Sequence, residues 1–133
     1  MPRIQFTANA DTTPTFIGDF LSRDYLLAGG VKVTATAFAA NAAGKRYVPA
    51  GTLIGRTFVE RAADTPFGVA ADTDDEVFIV AYDVYDLAEI NDADVLRHGT
   101  LIKENLLPGF AGISVALKAK VRANYQTTTG AGV

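Results

Sequence analysis

The chain has 133 residues, is 49% apolar, carries a net charge of −3 and contains no cysteine. That length fits one domain with one real core, and the lack of thiols excludes disulfides, zinc–thiolate centres and thiol catalysis. Lys and Arg do not gather on any segment, which argues against nucleic acid as a partner because phosphate binding needs a concentrated basic face.

No apolar run reaches the roughly 20 residues of a membrane span. The opening MPRIQFTANADTTPTF has no apolar stretch of signal-peptide length, so a cytoplasmic, non-secreted product is expected. Abundant Ala, Thr, Val and Gly, with no Trp, lean towards short β-strands.

Residues 1–30 differ from the rest. Pro2, Asn9, Asp11, Thr12, Thr13 and Pro14 break any regular period. Two readings stay open. The segment is an irregular start to the domain, or it is an extended arm whose hydrophobes Ile4, Phe6, Phe16, Ile17 and Phe20 pack on something outside the chain. A single β-rich domain is expected over 31–133.

Within that domain VKVTATAF, residues 31–38, alternates as a strand with one buried face. Pro49-Ala50-Gly51 marks a turn, and residues 52–60 are expected as a strand with Gly55 at a bulge or close approach. A short strand is expected near 67–71. The acidic run DTDDE at 72–76 leads into VFIVAYDVY at 77–85, whose first half is apolar on both faces and so belongs centrally. LAEINDAD at 87–94 is expected as a loop with at most one helical turn. Val95-Leu96-Arg97 and Thr100-Leu101-Ile102 are two strand-like pieces joined at a His98-Gly99 turn. Beyond Leu107-Pro108-Gly109, Ile113, Leu117, Val121 and Tyr125 recur every four residues, which favours a helix. Val115, Leu117, Ala119 and Val121 also alternate as a strand does. The expected architecture is mainly β, in the α+β sense: a compact small β-barrel or sandwich-like domain with one short C-terminal helix and an extended N-terminal arm.

Motifs for chemistry are scarce. His98 is the only histidine, and no GxSxG elbow accompanies it. DTDDE fails the calcium-loop pattern, because the sixth and twelfth positions from Asp72 are Val77 and Asp83. No GxGxxG or GxxxxGK[ST] occurs. No catalytic residue, cofactor or metal ligand is assigned.

VPAGTLIGR at 48–56 and VFIVAYDVYDLAEINDADVLRHGTLIKENL at 77–106 together resemble the lambda-type head decoration proteins of tailed bacteriophages, which cement and stabilise the capsid. The matching residues are Ala50, Gly51, Thr52 and Gly55, then Asp83 and Val84, then Val95, Arg97, His98, Gly99 and Thr100. About half the chain is covered. VFIVAY replaces the usual small-Gly-hydrophobic entry to the central strand, and residues 1–30 find no counterpart. The resemblance implies a non-enzymatic virion protein made in the host cytoplasm. It implies a homotrimer on the capsid exterior, at three-fold or quasi-three-fold sites of an expanded head, with the major capsid protein as partner and neither nucleic acid nor membrane involved. The apolar residues of the arm would then be capsid anchors, and Arg97, His98 and Gly99 a turn or interface group. The alternatives are another phage structural component, such as a tail-tube or head-fibre base domain, and a small ligand-binding or enzymatic β-barrel.

Overall fold

The computed structural model describes residues 16–17, 25–40, 42–85 and 90–128. Among these residues, seven strands and two α-helices follow in chain order: β1 (Val31–Thr34), β2 (Leu53–Arg56), α1 (Phe58–Ala62), β3 (Gly68–Val69), β4 (Glu76–Ile79), β5 (Ile90–Ala93), β6 (Leu101–Lys103), α2 (Val115–Asn124) and β7 (Gln126–Thr128). Three sheets result: β1 with β5, β2 between β3 and β4, and β6 with β7. The first two are antiparallel throughout and the last is parallel. The domain is mainly β, as expected, but among the described residues the sheets do not close into a barrel.

Single bridges stitch the sheets together. Val80 pairs with Val95, Leu26 with Leu96, and Val33 with Phe67. Val80, Val95, Val33 and Phe67 belong to one apolar cluster that also holds Ile54 and Phe78, whereas Leu96 belongs to a second. This second cluster lies on the other face of β2 and β4. It takes Leu53, Val77 and Ile79 from the strands and Leu117, Val121 and Tyr125 from the helical side. Alternate residues of β4 thus enter different cores, which is why its sequence is apolar on both faces.

α2 resolves the contested C-terminal pattern as a helix. Ser114 caps it, accepting from the Leu117 amide at 3.1 Å. Leu117, Val121 and Tyr125 are buried, whereas Val115, which a strand would have turned the same way as Leu117, is 83% exposed.

Four elements depart from expectation. The strand expected over 77–85 ends at Ile79, and β2, not β4, holds the middle place in the three-stranded sheet. The strand drawn over 52–60 ends at Arg56. There Thr57 and Glu60 form a reciprocal capping box that starts α1. The stretch expected as a loop at 87–94 contains β5, a strand that leans on β1 and on the Lys32–Asp92 ion pair. The strand drawn over 31–38 stops at Thr34 and tightens into a 3₁₀ turn at Ala35–Ala37.

Residues assigned to the arm also enter the domain. Tyr25, Leu26 and Leu27 run beside residues 95–97, with Leu27 N donating to Val95 O at 3.0 Å and Arg97 N to Tyr25 O at 2.7 Å. Phe16 and Ile17 add to the edge of β6, where Ile17 faces Ile102 and Lys103 N donates to Phe16 O at 2.7 Å. Both are buried in the second cluster, at 3% and 2% exposure. In this conformation they are core residues and not anchors open to a partner. Burying both removes large apolar surface from water, and a small domain needs that surface.

Candidate interaction site

The VLRHGT turn is built around an opening in the β4 ladder. Leu96 N donates to Ile79 O and Ala81 N to Asp94 O, so the next backbone bond in register would join Ile79 N to Leu96 O. The Tyr125 hydroxyl occupies that position instead. It accepts from Ile79 N at 3.3 Å and donates to Leu96 O at 2.8 Å. One step further on, the His98 ring nitrogen Nε2 lies 3.0 Å from Val77 O. The imidazole stacks on Phe78 with centroids 4.3 Å apart and meets the edge of Tyr125 at 5.3 Å. Burial pushes the Tyr125 phenol well above its usual range.

Gly99 completes the turn. Its φ of +93° is the left-handed region that favours glycine, and its amide donates to Asn124 O at the end of α2 at 2.7 Å. Arg97 O accepts from both the amide and the hydroxyl of Thr100. Arg97, His98 and Gly99 lie in a turn that ties β4, α2 and β7. His98 spends its Nε2 on a backbone carbonyl. Ile4, Phe6 and Phe20 lie outside the described residues.

The acidic run is spent on structure. Asp72 accepts from the Ser114 hydroxyl at 2.6 Å. Asp74, 6% exposed, accepts from Ala71 N at 2.8 Å and covers Gly55. Asp75 accepts from Phe58 N at 2.8 Å, and Glu76 pairs with Arg56 and Arg61. Among the described residues no three His, Asp or Glu side chains converge as a metal site requires.

Three surface features remain. At the acidic turn, the starts of α1 and α2 carry Phe58, Val59 and Val115 into solvent, at 58%, 80% and 83% exposure. A groove of about 510 Å³ runs along Leu106, Pro108 and Phe110, with Lys118 and Arg122 over the Phe110 ring. Arg122 also binds Glu104 through two bonds, which holds that carboxyl below the usual range and raises the guanidinium. The third feature is an aromatic pair. Tyr47 and Tyr85 flank the Val48–Val84 bridge and stack with centroids 5.7 Å apart and planes 10° from parallel. The Tyr85 hydroxyl donates to Asp83, and that bond raises the phenol above its ordinary value.

No known protein family, curated protein or solved structure was found to match this chain.

Sequence reasoning did not single out Phe58, Val59, Val115, Tyr47 or Tyr85. The first two were hidden by reading 52–60 as a strand, and the Thr57-x-x-Glu60 spacing was the signal that could have exposed them. The tyrosines come together only through the Val48–Val84 pairing, which no local pattern announces.

Proposed function

We propose that this is a structural assembly protein of the capsid-decoration type. It docks as a homotrimer on the outside of an expanded phage head, at three-fold or quasi-three-fold positions, and stabilises the shell. The observation that carries this reading is the display of Phe58, Val59 and Val115 in solvent on capped helix starts. Apolar side chains displayed this openly are what an interface covers. The resemblance of residues 48–56 and 77–106 to the capsid-decoration family motivates the same reading, and both segments are joined by backbone bonds to residues 77–80. Gly51 N donates to Val80 O, and the VLRHGT turn binds Ile79 and Val77. Trimer symmetry needs two different patches on each subunit, and the groove along Phe110 offers a second surface.

Mixing the purified protein with expanded, undecorated heads tests the proposal. Co-sedimentation at micromolar protein, with added density on the three-fold axes in electron cryomicroscopy, is the expected result. Failure to co-sediment refutes it, and density confined to the tail or to one vertex transfers the protein to another part of the particle.

A further inference from the structure

Two guanidinium groups of this chain are bound in one manner. Arg56 places Cζ 4.4 Å from the Phe67 ring centroid and donates from Nε to Glu76 at 2.9 Å. Arg122 places Cζ 5.6 Å from the Phe110 centroid and donates to both oxygens of Glu104 at 2.8 and 2.9 Å. In each case a ring face attracts the cation through its quadrupole, and a carboxylate supplies charge and acceptors.

A third couple of ring and carboxylate faces outward. Tyr85 is 67% exposed, and it is stacked on Tyr47 through one face. Its hydroxyl donates to Asp83 Oδ2 at 2.8 Å, and Asp83 Oδ1 accepts from Ala50 N at 2.6 Å. Ring and carboxylate are thus fixed relative to one another without a partner, which lowers the ordering cost of binding. Each carboxylate oxygen keeps a further lone pair to offer.

We propose that Tyr85 and Asp83, backed by Tyr47, form a recognition site for an arginine side chain on a partner protein. Arginine suits the couple better than lysine, because a planar guanidinium can lie on the ring and still reach the carboxylate with its fork of donors. The identity of the partner rests on the assembly reading: under it, the arginine belongs to the shell protein. The chemistry of the site does not depend on that reading.

Solution NMR of the tyrosine ring resonances tests the site itself. The probes are the blocked tripeptide Gly-Arg-Gly and its citrulline counterpart, which keeps the shape and loses the charge. Shifts at Tyr47 and Tyr85 are expected with arginine only, saturating with a dissociation constant on the order of 10 mM. In Tyr85→Ala the Tyr47 shifts should vanish while the rest of the spectrum stays folded. Equal shifts with both peptides, or none with either, overturn the proposal even if the protein coats heads. On heads, Tyr85→Ala should weaken binding by at least about tenfold. Unchanged head affinity overturns the assignment of the arginine to the shell. Arginine-specific shifts without any head binding support the site and remove the assembly reading.

Discussion

Tyr125→Phe is the substitution that most directly tests how β4 is joined to the segment at residues 95–97. It deletes one oxygen, and that oxygen bridges Ile79 N and Leu96 O inside the opened ladder. The ring, 4% exposed, keeps its place among Ile79, Leu96, Leu117 and Val121. The cost is therefore that of two backbone groups left without a partner. A buried group so stranded costs about 1–3 kcal/mol. Partial closure of the strands onto each other offsets some of this, leaving about 2–4 kcal/mol. For a chain of this size that corresponds to a fall of roughly 8–15 °C in Tm. Urea unfolding gives the free energy, and hydrogen exchange at the Ile79 amide locates it. There is a pH signature as well. Burial raises the phenol in the folded state above its ordinary value of 10.0, so the folded protein holds this proton more tightly than the unfolded chain. The contribution is present in full below that pH and is lost as pH rises beyond it. Tyr125→Phe should remove that alkaline loss. A stability change under about 0.5 kcal/mol, with Ile79 exchange unaltered, refutes the bridging role.

Three further predictions follow from the same geometry. A methyl group at Gly55 would lie 2.5 Å from Asp74 Oδ2 and 3.0 Å from Glu76 O, so Gly55→Ala should cost about 2–4 kcal/mol in urea unfolding. Combined with Asp74→Ala the two losses should fall short of their sum by at least about 1 kcal/mol, and strict additivity would remove the clash as the cause. Thr57→Ala breaks the capping box of α1 and should cost about 1 kcal/mol, with faster exchange at the Glu60 amide. Glu104 has its carboxyl held low by Arg122, so its contribution is present above its ordinary value of 4.5 and fades as pH falls below it. Thermal unfolding in a series of buffers should therefore show Glu104→Gln losing less stability than the parent chain on acidification to about pH 3. Parallel curves would count against the pair.

Much of the fold can be read locally, and the exceptions have physical causes. VKVT declares itself through β-branched residues and period two, and LIGR and the start of VFIVAY through short apolar runs bounded by turn signals. The four-residue spacing of Ile113, Leu117, Val121 and Tyr125 marks α2 correctly. Phe58-Val59-Glu60 is composed like a strand, and the Thr57–Glu60 capping box, with Asp75 accepting from Phe58 N, satisfies the first-turn amides and tips it into a helix. Ile90–Ala93 has no pattern of its own and becomes a strand because β1 is there to pair with it. Phe16 and Ile17 have an apolar character that fits a core and an external anchor equally well. Their place is decided by the free edge of β6, far along the chain. The candidate surface was the least legible part, since exposure is a property of the folded molecule and not of any window of sequence.

The residues that carry the family resemblance have work to do inside the domain. Gly51, at φ +90°, leaves room for Pro108 and Phe16, and Gly55 leaves room for the Asp74 carboxylate. His98 replaces a ladder bond, Gly99 caps α2, and Asp83 fixes the Ala50 amide. A pattern made of such residues specifies a scaffold, because changing any of them disturbs turns, caps or strand pairing. It does not specify a partner. Partner choice has to rest on side chains that the scaffold leaves free to vary: Phe58, Val59 and Val115 at the helix starts, and the outward ring of Tyr85. Substitution on those surfaces should then change what the protein binds at little cost to folding, within about 0.5 kcal/mol each. Substitution at Gly55 or Tyr125 should do the reverse, lowering stability while any head binding by the folded fraction stays intact. A variant set that mixed the two effects, with Val59→Ser or Val115→Ser unfolding the domain, would show that these side chains belong to the core of this chain and not to an interface.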